Sequence, residues 1–305
     1  MLESVAIVLP VFGLIGIGYA ARRIGLVTDR TGEGLSEFVF ALAVPCLIFR
    51  TLVRAEIPAV QPWGYWISYF AGVAVVWGLA MLAGRRFFGL AGTSAVVAGF
   101  SAGQANTVLV GIPMILKAYG DEGAVPLFLL LAVHLPVTMT LATLLAEGRK
   151  ASPLAILRRL VTHPIIIGII AGSAFRPVAG AVPAPFWQVV DLIGSAAIPC
   201  ALVGMGIALH RYGLEAGWKL PTLIAGLKLG LHPLVVYLLA TQVFTMPPAW
   251  AGVAVLFAAC PSGINAYLFA ERYGEGVAVA SSAVALSTAL ALGTIIIWLQ
   301  VLGVG

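Results

Sequence analysis

SAGQANTVLVGIPMILKAYG, residues 101–120, is the most informative segment of this chain. Five of its residues interrupt or polarise an otherwise apolar run: Gln104, Asn106, Thr107, Gly111 and Pro113. Pro113 lacks a backbone N–H and, in a helix, clashes with the carbonyl of Leu109 four residues earlier. In a bilayer, freed backbone groups must be satisfied by neighbours, and buried amides face a cavity or a partner helix. We therefore predict a broken helix that lines a binding site, with a proline-kinked packing helix as the alternative.

The composition of the whole chain indicates an integral membrane protein. Only 10% of its 305 residues are charged, whereas soluble domains carry roughly 25%. Ten spans of about 20 residues each would fill roughly two-thirds of such a chain. The predicted fold is all-α with ten transmembrane spans, at residues 4–22, 34–53, 63–84, 92–118, 123–146, 162–176, 186–209, 219–244, 249–271 and 276–302. The first is expected to be a span rather than a signal peptide, because Arg22 and Arg23 follow it instead of a small-residue cleavage site.

Basic residues in the loops predict the orientation. One set of loops holds 12 lysines and arginines: Arg22, Arg23, Arg30, Arg85, Arg86, Arg149, Lys150, Arg158, Arg159, Arg211, Lys219 and Arg272. The other set holds 4: Arg50, Arg54, Lys117 and Arg176. Because loops rich in lysine and arginine stay in the cytoplasm, both termini are predicted to lie outside the cell, with the chain in the inner (plasma) membrane.

An internal repeat is visible at one constant spacing. Three pairs share it: residues 43–46 with 197–200, 119–120 with 273–274, and 124–125 with 278–279 (199 − 45 = 154). Five spans is an odd number, so the second predicted half, residues 151–305, must be inverted relative to the first, residues 1–150. Inverted repeats with discontinuous helices near the middle of the membrane are a recurring design of secondary transporters.

The symmetry partner of the opening stretch is CPSGINAYLFAERYG, residues 260–274. It carries a helix-breaking pair, Pro261 and Gly263, followed by the amide Asn265. The N-terminal ends of broken helices present unpaired N–H groups and a positive dipole, which favour an anion. Asn106 and Asn265 would add neutral donors, so we predict a reversible carboxylate site there. An interhelical hydrogen bond is the alternative role for Asn265.

Three segments resemble those of a known family. FVFALAVPCLIF (residues 38–49), ANTVLVGIP (105–113) and AACPSGINAYLFAERYG (258–274) are similar to matching segments of the auxin efflux carrier family. That family includes plant PIN-formed auxin transporters and bacterial carriers of malonate and similar acids. The resemblance covers both halves and lacks the long central loop of many plant members. It implies a fold similar to that of bile-acid/sodium symporters and NhaA-type antiporters, in which spans four and nine cross, spans 1, 2, 6 and 7 form a scaffold domain, and spans 3–5 and 8–10 form a transport domain.

The resemblance also implies roles for single residues. Asn106 matches an asparagine that contacts the substrate carboxylate, and Val44, just before Pro45, matches an apolar residue of the pocket. Two positions depart from the plant pattern: Ala105 replaces a proline, and Asn265-Ala266 replaces Val-Pro. The extra amide suits a more polar substrate than indole-3-acetate, or an ordered water. The full predicted sets are Asn106, Asn265, Val44, Pro45, Gln104, Thr107 and Ile264 for substrate, and Ala105, Gly111, Pro113, Pro261 and Gly263 for the crossover.

Lys228, in GLKLGLHP, is the one lysine or arginine deep in a predicted span. We expect it to support the crossover by bonding exposed carbonyls or by taking the role of a coupling cation. His134 and His232 each lie close to a proline in an apolar span, and local hydrogen bonding is favoured over a proton relay.

Other classes of protein lack support in the sequence. Cys46, Cys200 and Cys260 lie in apolar runs, and the chain has no Cys-x-x-Cys pair, so neither a metal nor a cofactor is predicted. The net charge of +5 comes from span ends and does not indicate nucleic acid. Residues 99–103 match G-x-S-x-G, but that motif needs a strand–turn–helix setting. We predict no catalytic residue; an intramembrane enzyme using Ser101 is a competing hypothesis.

Taken together, these features predict a secondary carrier that exports a small organic acid anion by alternating access. An auxin-like monocarboxylate such as indole-3-acetate is the leading substrate, and malonate or another dicarboxylate is the alternative. A channel or a non-transporting sensor would keep the same fold. The expected partners are the carboxylate, the lipid bilayer and a second copy of the chain in a homodimer.

Overall fold

A computed structural model describes residues 2–54, 63–148, 154, 158, 161–212 and 217–304. Every regular element in this part of the chain is helical, and the one strand-like contact is a two-residue bridge between Ala105 and Ser262. Within the described ranges, eight helical runs are long and apolar enough to cross a membrane: Leu2–Arg23, Asp29–Arg54, Trp63–Phe87, Thr107–Glu147, Pro164–Ala181, Ala184–Leu209, Lys219–Val243 and Val277–Val301. The predicted boundary between the two halves, at residues 150 and 151, lies outside the described residues.

The α-helices whose bounds the structure describes begin with α1 (Leu2–Arg23), α2 (Asp29–Phe38), α3 (Val44–Arg54), α4 (Trp63–Phe87), α5 (Gly92–Gly103), α6 (Ile112–Glu147) and α7 (Pro164–Phe175). The others are α8 (Ala184–Ser195), α9 (Ala197–Leu209), α10 (Lys219–Gly226), α11 (His232–Leu238), α12 (Pro248–Ala259), α13 (Ile264–Tyr273) and α14 (Val277–Val301). Wide π-helical turns occupy Val39–Ala43, Thr107–Gly111, Leu227–Leu231 and Leu239–Val243, and a 3-10 turn occupies Arg176–Ala181.

The predicted ninth span is absent from these eight runs, and only the second half of the predicted fourth span appears, as the start of Thr107–Glu147. Each is divided: α5 stops at Gly103 before the Thr107–Gly111 turn, and α12 stops at Ala259 before α13. Helices α5 and α12 have 12 residues each, which extend only about 18 Å, whereas the apolar core of a bilayer is about 30 Å thick. The sequence predicts a gap between spans four and five, after residue 118 and before residue 123. In the structure α6 continues through this region, and the backbone leaves helical geometry there at Gly120.

The first break lies upstream of the proline that drew attention to it. Pro113 is the second residue of α6, where a proline is tolerated because its missing N–H has no helical acceptor to lose. The chain instead leaves the helix at Gln104 (φ −83°, ψ 122°) and Asn106 (φ −78°, ψ 69°). Polar residues before the proline therefore mark the break, and a π-helical turn, Thr107–Gly111, lies between them and α6.

Close helix packing positions these elements. Helix α1 packs on α9, and α3 packs on α7 and α8. Helix α4 contacts α5 and α11, α6 contacts α12, and α10 contacts α14. The α1–α9 approach requires a small residue, because a Cβ on Gly206 would lie 2.0 Å from the Ile15 carbonyl oxygen. Small residues that let backbones meet are characteristic of helix association in membranes.

Candidate functional site

The two helix breaks are hydrogen-bonded to each other. Asn106 N–H donates to the Pro261 carbonyl at 2.8 Å, and Gly263 N–H donates to the Gln104 carbonyl at 2.9 Å. Together with the Ala105–Ser262 bridge, these bonds satisfy backbone groups that the interrupted helices leave free, as an apolar environment requires. We call residues 104–106 and 261–263 the paired break.

Neighbouring helices hold the paired break in place. Ser262 Oγ donates to the Ser101 carbonyl at 2.7 Å, and Ser262 N–H donates to Ser287 Oγ at 2.9 Å. A Cβ on Gly263 would lie 2.9 Å from Gln104 Cγ and 3.0 Å from the Ala105 carbonyl oxygen. The two backbones therefore approach closely enough that position 263 requires glycine.

Buried polar side chains on α4 and α6 support the first segment of the paired break, residues 104–106. Thr138 Oγ1 donates to Gln104 Oε1 at 2.7 Å. His134 Nε2 accepts from Ala105 N–H at 3.4 Å, while its Nδ1 lies 3.0 Å from the Tyr69 hydroxyl. Because Nε2 is an acceptor, the proton of a neutral His134 is assigned to Nδ1. This histidine makes the local hydrogen bonds that the sequence favoured.

Lys228 is fully buried close to the second segment of the paired break, residues 261–263. Its Nζ donates to the Ala258 carbonyl at 2.7 Å and lies 3.0 Å from His232 Nδ1. Ala258 is in the last turn of α12, where carbonyls have no partner within the helix and carry partial negative charge. No carboxylate forms an ion pair with Lys228 in the described ranges. The ammonium group thus bonds a buried carbonyl that has no partner within its helix, and its role as a coupling cation stays a prediction.

Two adjoining cavities open next to the paired break. The first cavity, of about 410 Å³, and the second, of about 460 Å³, are both lined by Leu135, His163, Pro164 and Asn265. The first has a polar lining of Thr140, Thr143, Thr162, His163, Asn265 and Arg272. The second is bordered by the acidic residues Asp29, Glu33, Glu37 and Glu271, with Arg211 as the lysine or arginine in its lining. The two cavities therefore differ in charge although they share one wall.

Asn265 is the predicted residue that faces both cavities, and Ile264 lines the second. Helix α13 begins at Ile264, so the first N–H groups of this helix point to the same region. Within the described residues, no acceptor is assigned to the backbone N–H groups of Ile264 and Asn265, and none to the Asn265 side chain. These free donors and the positive end of the α13 dipole meet at the wall shared by the two cavities.

The other predicted substrate residues are not in this wall. Four are nearly fully buried: Val44, Gln104, Asn106 and Thr107. Asn106 Nδ2 donates to Met205 Sδ on α9 at 3.3 Å, and Pro45 lies against Gly168 of α7. The structure thus separates the two asparagines: Asn265 borders open space, while Asn106 is covered by α9.

His163 and Arg272 line the first cavity but were not among the predicted site residues. Arg272 was counted only as a loop cation, although it follows Asn265 by seven residues, which places the two on nearly the same face of a helix. His163 precedes Pro164 at the start of α7 and had no motif around it. The Arg272 spacing was therefore a detectable pattern, whereas the position of His163 depends on packing.

The structure also describes the residues that an intramembrane enzyme or a metal site would use. Ser101 Oγ is buried and has no hydrogen-bond partner in the part of the chain that the structure describes, so no base is in contact with it. Cys46, Cys200 and Cys260 are free thiols. Among the described residues, no three His, Cys, Asp or Glu side chains are grouped as metal ligands.

Comparisons with known proteins identify transporters. The profile of the family described as "Membrane transport protein" matches residues 4–299. A protein of Rhizobium meliloti named "Putative malonate transporter" is 30% identical over 97% of this chain and 94% of its own length. An "Uncharacterized transporter" of Methanothermobacter thermautotrophicus is 26% identical over 98% of both chains. The mouse "Lysosomal cholesterol signaling protein" is 22% identical over 92% of this chain, which corresponds to 35% of the mouse protein.

Proposed function

Because this chain belongs to the membrane transport protein family, the auxin efflux carrier family that its motifs resemble, we propose that it is a secondary carrier of a short organic dicarboxylate. The observation that carries this proposal is the group of free donors at the start of α13. Asn265 and the first N–H groups of the helix face two water-accessible cavities. A carboxylate is the anion that such neutral donors bind reversibly.

A dicarboxylate fits the lining better than an aromatic monocarboxylate does. The first cavity adds the Thr140 hydroxyl, the His163 ring and the Arg272 guanidinium to Asn265, and a dicarboxylate has acceptors for several such donors. The relative from Rhizobium meliloti carries malonate in its printed name, which supports the same class. Transport of indole-3-acetate stays a prediction, and the experiment below tests it alongside malonate.

The proposed mechanism uses ten spans in a 5+5 inverted repeat. In it, the divided spans four and nine belong to a transport domain (spans 3–5 and 8–10), which moves against a scaffold (spans 1, 2, 6 and 7). The cavities lie on the side of Arg211 and Arg272, which is the cytoplasmic side if both termini are outside. Val110, which follows the first break, packs in an apolar cluster with Val11 and Ile15 of α1 and Leu202 of α9. The structure would then be the inward-open state, and domain movement would carry the bound anion from this side to the other.

The electrical potential is a sufficient driving force for export. An inside-negative membrane favours the exit of an anion by about 2.3 kcal/mol per charge per 100 mV, and a dianion doubles this value. Uniport is therefore enough for efflux in this proposal. The scaffold would also provide the surface of a homodimer in the inner membrane.

Uptake by proteoliposomes tests the proposal. The wild-type protein is expected to give saturable malonate transport, and Asn265→Ala is expected to raise KM by about tenfold to a hundredfold. The reason is that a hydrogen bond to a charged group contributes roughly 1.5–3 kcal/mol. Gln300→Ala is the control, because it removes an exposed amide distant from both cavities.

Each other outcome has a defined meaning. Saturable transport of indole-3-acetate in place of malonate would keep the carrier and replace the substrate class. Flux that never saturates would favour a channel. If every carboxylate tested is neither bound nor transported, the carrier proposal is wrong and a sensor function, as in the name of the mouse relative, becomes the better hypothesis.

A further inference from the structure

Arg272 is an unneutralised cation at the first cavity. Arg211, which lines the second cavity, is paired with Glu33 at 2.7 Å, and Arg22 nearby is paired with Asp29 at 2.8 Å. Arg272 forms no ion pair within the described residues; its guanidinium lies over the Tyr273 ring, 5.5 Å from the ring centre. Its charge is therefore available to a ligand in the first cavity.

Arg272 and Asn265 are positioned to bind one ligand at two points. Seven residues separate them on α13, which corresponds to about 10.5 Å along the axis and nearly the same face. Side chains on a helix lean toward its N-terminus, so the long arginine side chain leans toward Asn265. Both residues line the first cavity. A short molecule with an anionic group at each end matches this arrangement, whereas a monocarboxylate occupies one end of it.

His163, at the start of α7, adds a donor to the first cavity. Its Nδ1 accepts from Ile165 N–H at 3.3 Å, which assigns the proton of the neutral ring to Nε2. His163 borders both cavities at the start of α7. The ring therefore has an N–H that is not used in capping the helix and that is available to an acceptor in the cavity.

We infer that Arg272 and His163 form a second carboxylate subsite, so that the first cavity binds a dicarboxylate with one carboxylate at Asn265 and the other at Arg272. This inference rests on the proposed function and makes Arg272 its determinant of dianion specificity. In the second cavity, Asp29 and Glu33 are neutralised by arginines, whereas Glu37 and Glu271 form no ion pair within the described residues and repel an anion. The charge difference between the two cavities thus directs the dianion to the first.

A ligand lacking one charge tests this subsite. Binding of malonate and of its monomethyl ester would be measured by calorimetry on the purified full-length protein. The wild type is expected to bind malonate at least about tenfold more tightly than the half-ester, because the pair with Arg272 is charge-assisted. Arg272→Gln should lower malonate affinity to the level of the half-ester and leave half-ester affinity nearly unchanged. His163→Gln should act in the same direction with a smaller effect.

Arg85→Gln is the matched control. It removes the same charge at the exposed end of α4, outside both cavities, so it should preserve the preference for malonate. If Arg272→Gln weakens both ligands equally, Arg272 contributes only a general attractive field and the subsite is wrong. Equal affinities of the wild type for malonate and its half-ester would also overturn the subsite, but they would not contradict the proposed carrier function. If Asn265→Ala weakens neither ligand, or no carboxylate binds, the proposed function itself fails.

Discussion

Replacing Lys228 by alanine is expected to abolish transport. The Lys228 ammonium donates to the Ala258 carbonyl, in the last turn before the second helix break, and contacts His232 Nδ1. Without it, two buried acceptors lose their donor, and each unsatisfied polar group costs about 1–3 kcal/mol. Residues 261–263 follow this helix end closely. Without Lys228, which lies between α10 and α11, the pairing of residues 261–263 with residues 104–106 would lose the support of these two helices.

A second substitution distinguishes loss of the charge from loss of volume. Lys228→Met keeps a long apolar side chain and removes the desolvation cost of a buried cation, so its effect on the melting temperature should be smaller than that of alanine. Transport should be lost in both variants because neither donates to Ala258. Lys219→Ala, at the exposed start of α10, should transport normally. Wild-type transport by Lys228→Met would show that the ammonium group is dispensable.

Gly263→Val is expected to reduce transport by about two orders of magnitude or more. The new Cβ would lie 2.9 Å from Gln104 Cγ and 3.0 Å from the Ala105 carbonyl. Gly263 N–H also donates to the Gln104 carbonyl, so relief of the clash would require the paired break to separate. Overpacking of this kind costs about 1–3 kcal/mol, and here it acts directly on the backbone at the start of α13.

Gly293→Val provides the comparison for this substitution. Gly293 lies in α14, and no heavy atom outside its own helix segment is within 4 Å of the position of its added Cβ. It introduces the same β-branched side chain into a transmembrane helix without a clash. Transport rates and melting temperatures of both variants would be measured together. Equal rates for Gly263→Val and the wild type would mean that close approach at the paired break is not required.

Much of the architecture could be predicted because it follows from properties of single segments. Apolar length predicted most of the helical runs within a few residues of their observed ends, and the helix-breaking residues indicated interruptions in residues 101–120 and 260–274. The exact place of the first break was less accessible. A proline can be accommodated within a first helical turn, so Pro113 marked the correct stretch but the wrong residue.

The site was only partly predictable for a different reason. Asn265 was selected from its own sequence context, and it does face both cavities. Asn106 has an equally suggestive context but is covered by Met205 of α9, almost a hundred residues further along the chain. Whether an amide meets solvent or a neighbouring helix depends on packing between distant segments, which the local pattern does not contain.

The amino-acid sequence was enough to identify this chain as a helical membrane protein of a transporter family with two interrupted segments. Hydropathy, absent N–H groups and family motifs are properties of short segments, and they do not depend on the arrangement of the rest. Only the tertiary structure decided that residues 104–106 pair with 261–263, that Lys228 bonds Ala258, and that His163 faces the same cavity as Arg272. The physical reason is that each of these contacts joins a donor, an acceptor or a charge to a partner that helix packing brings within reach.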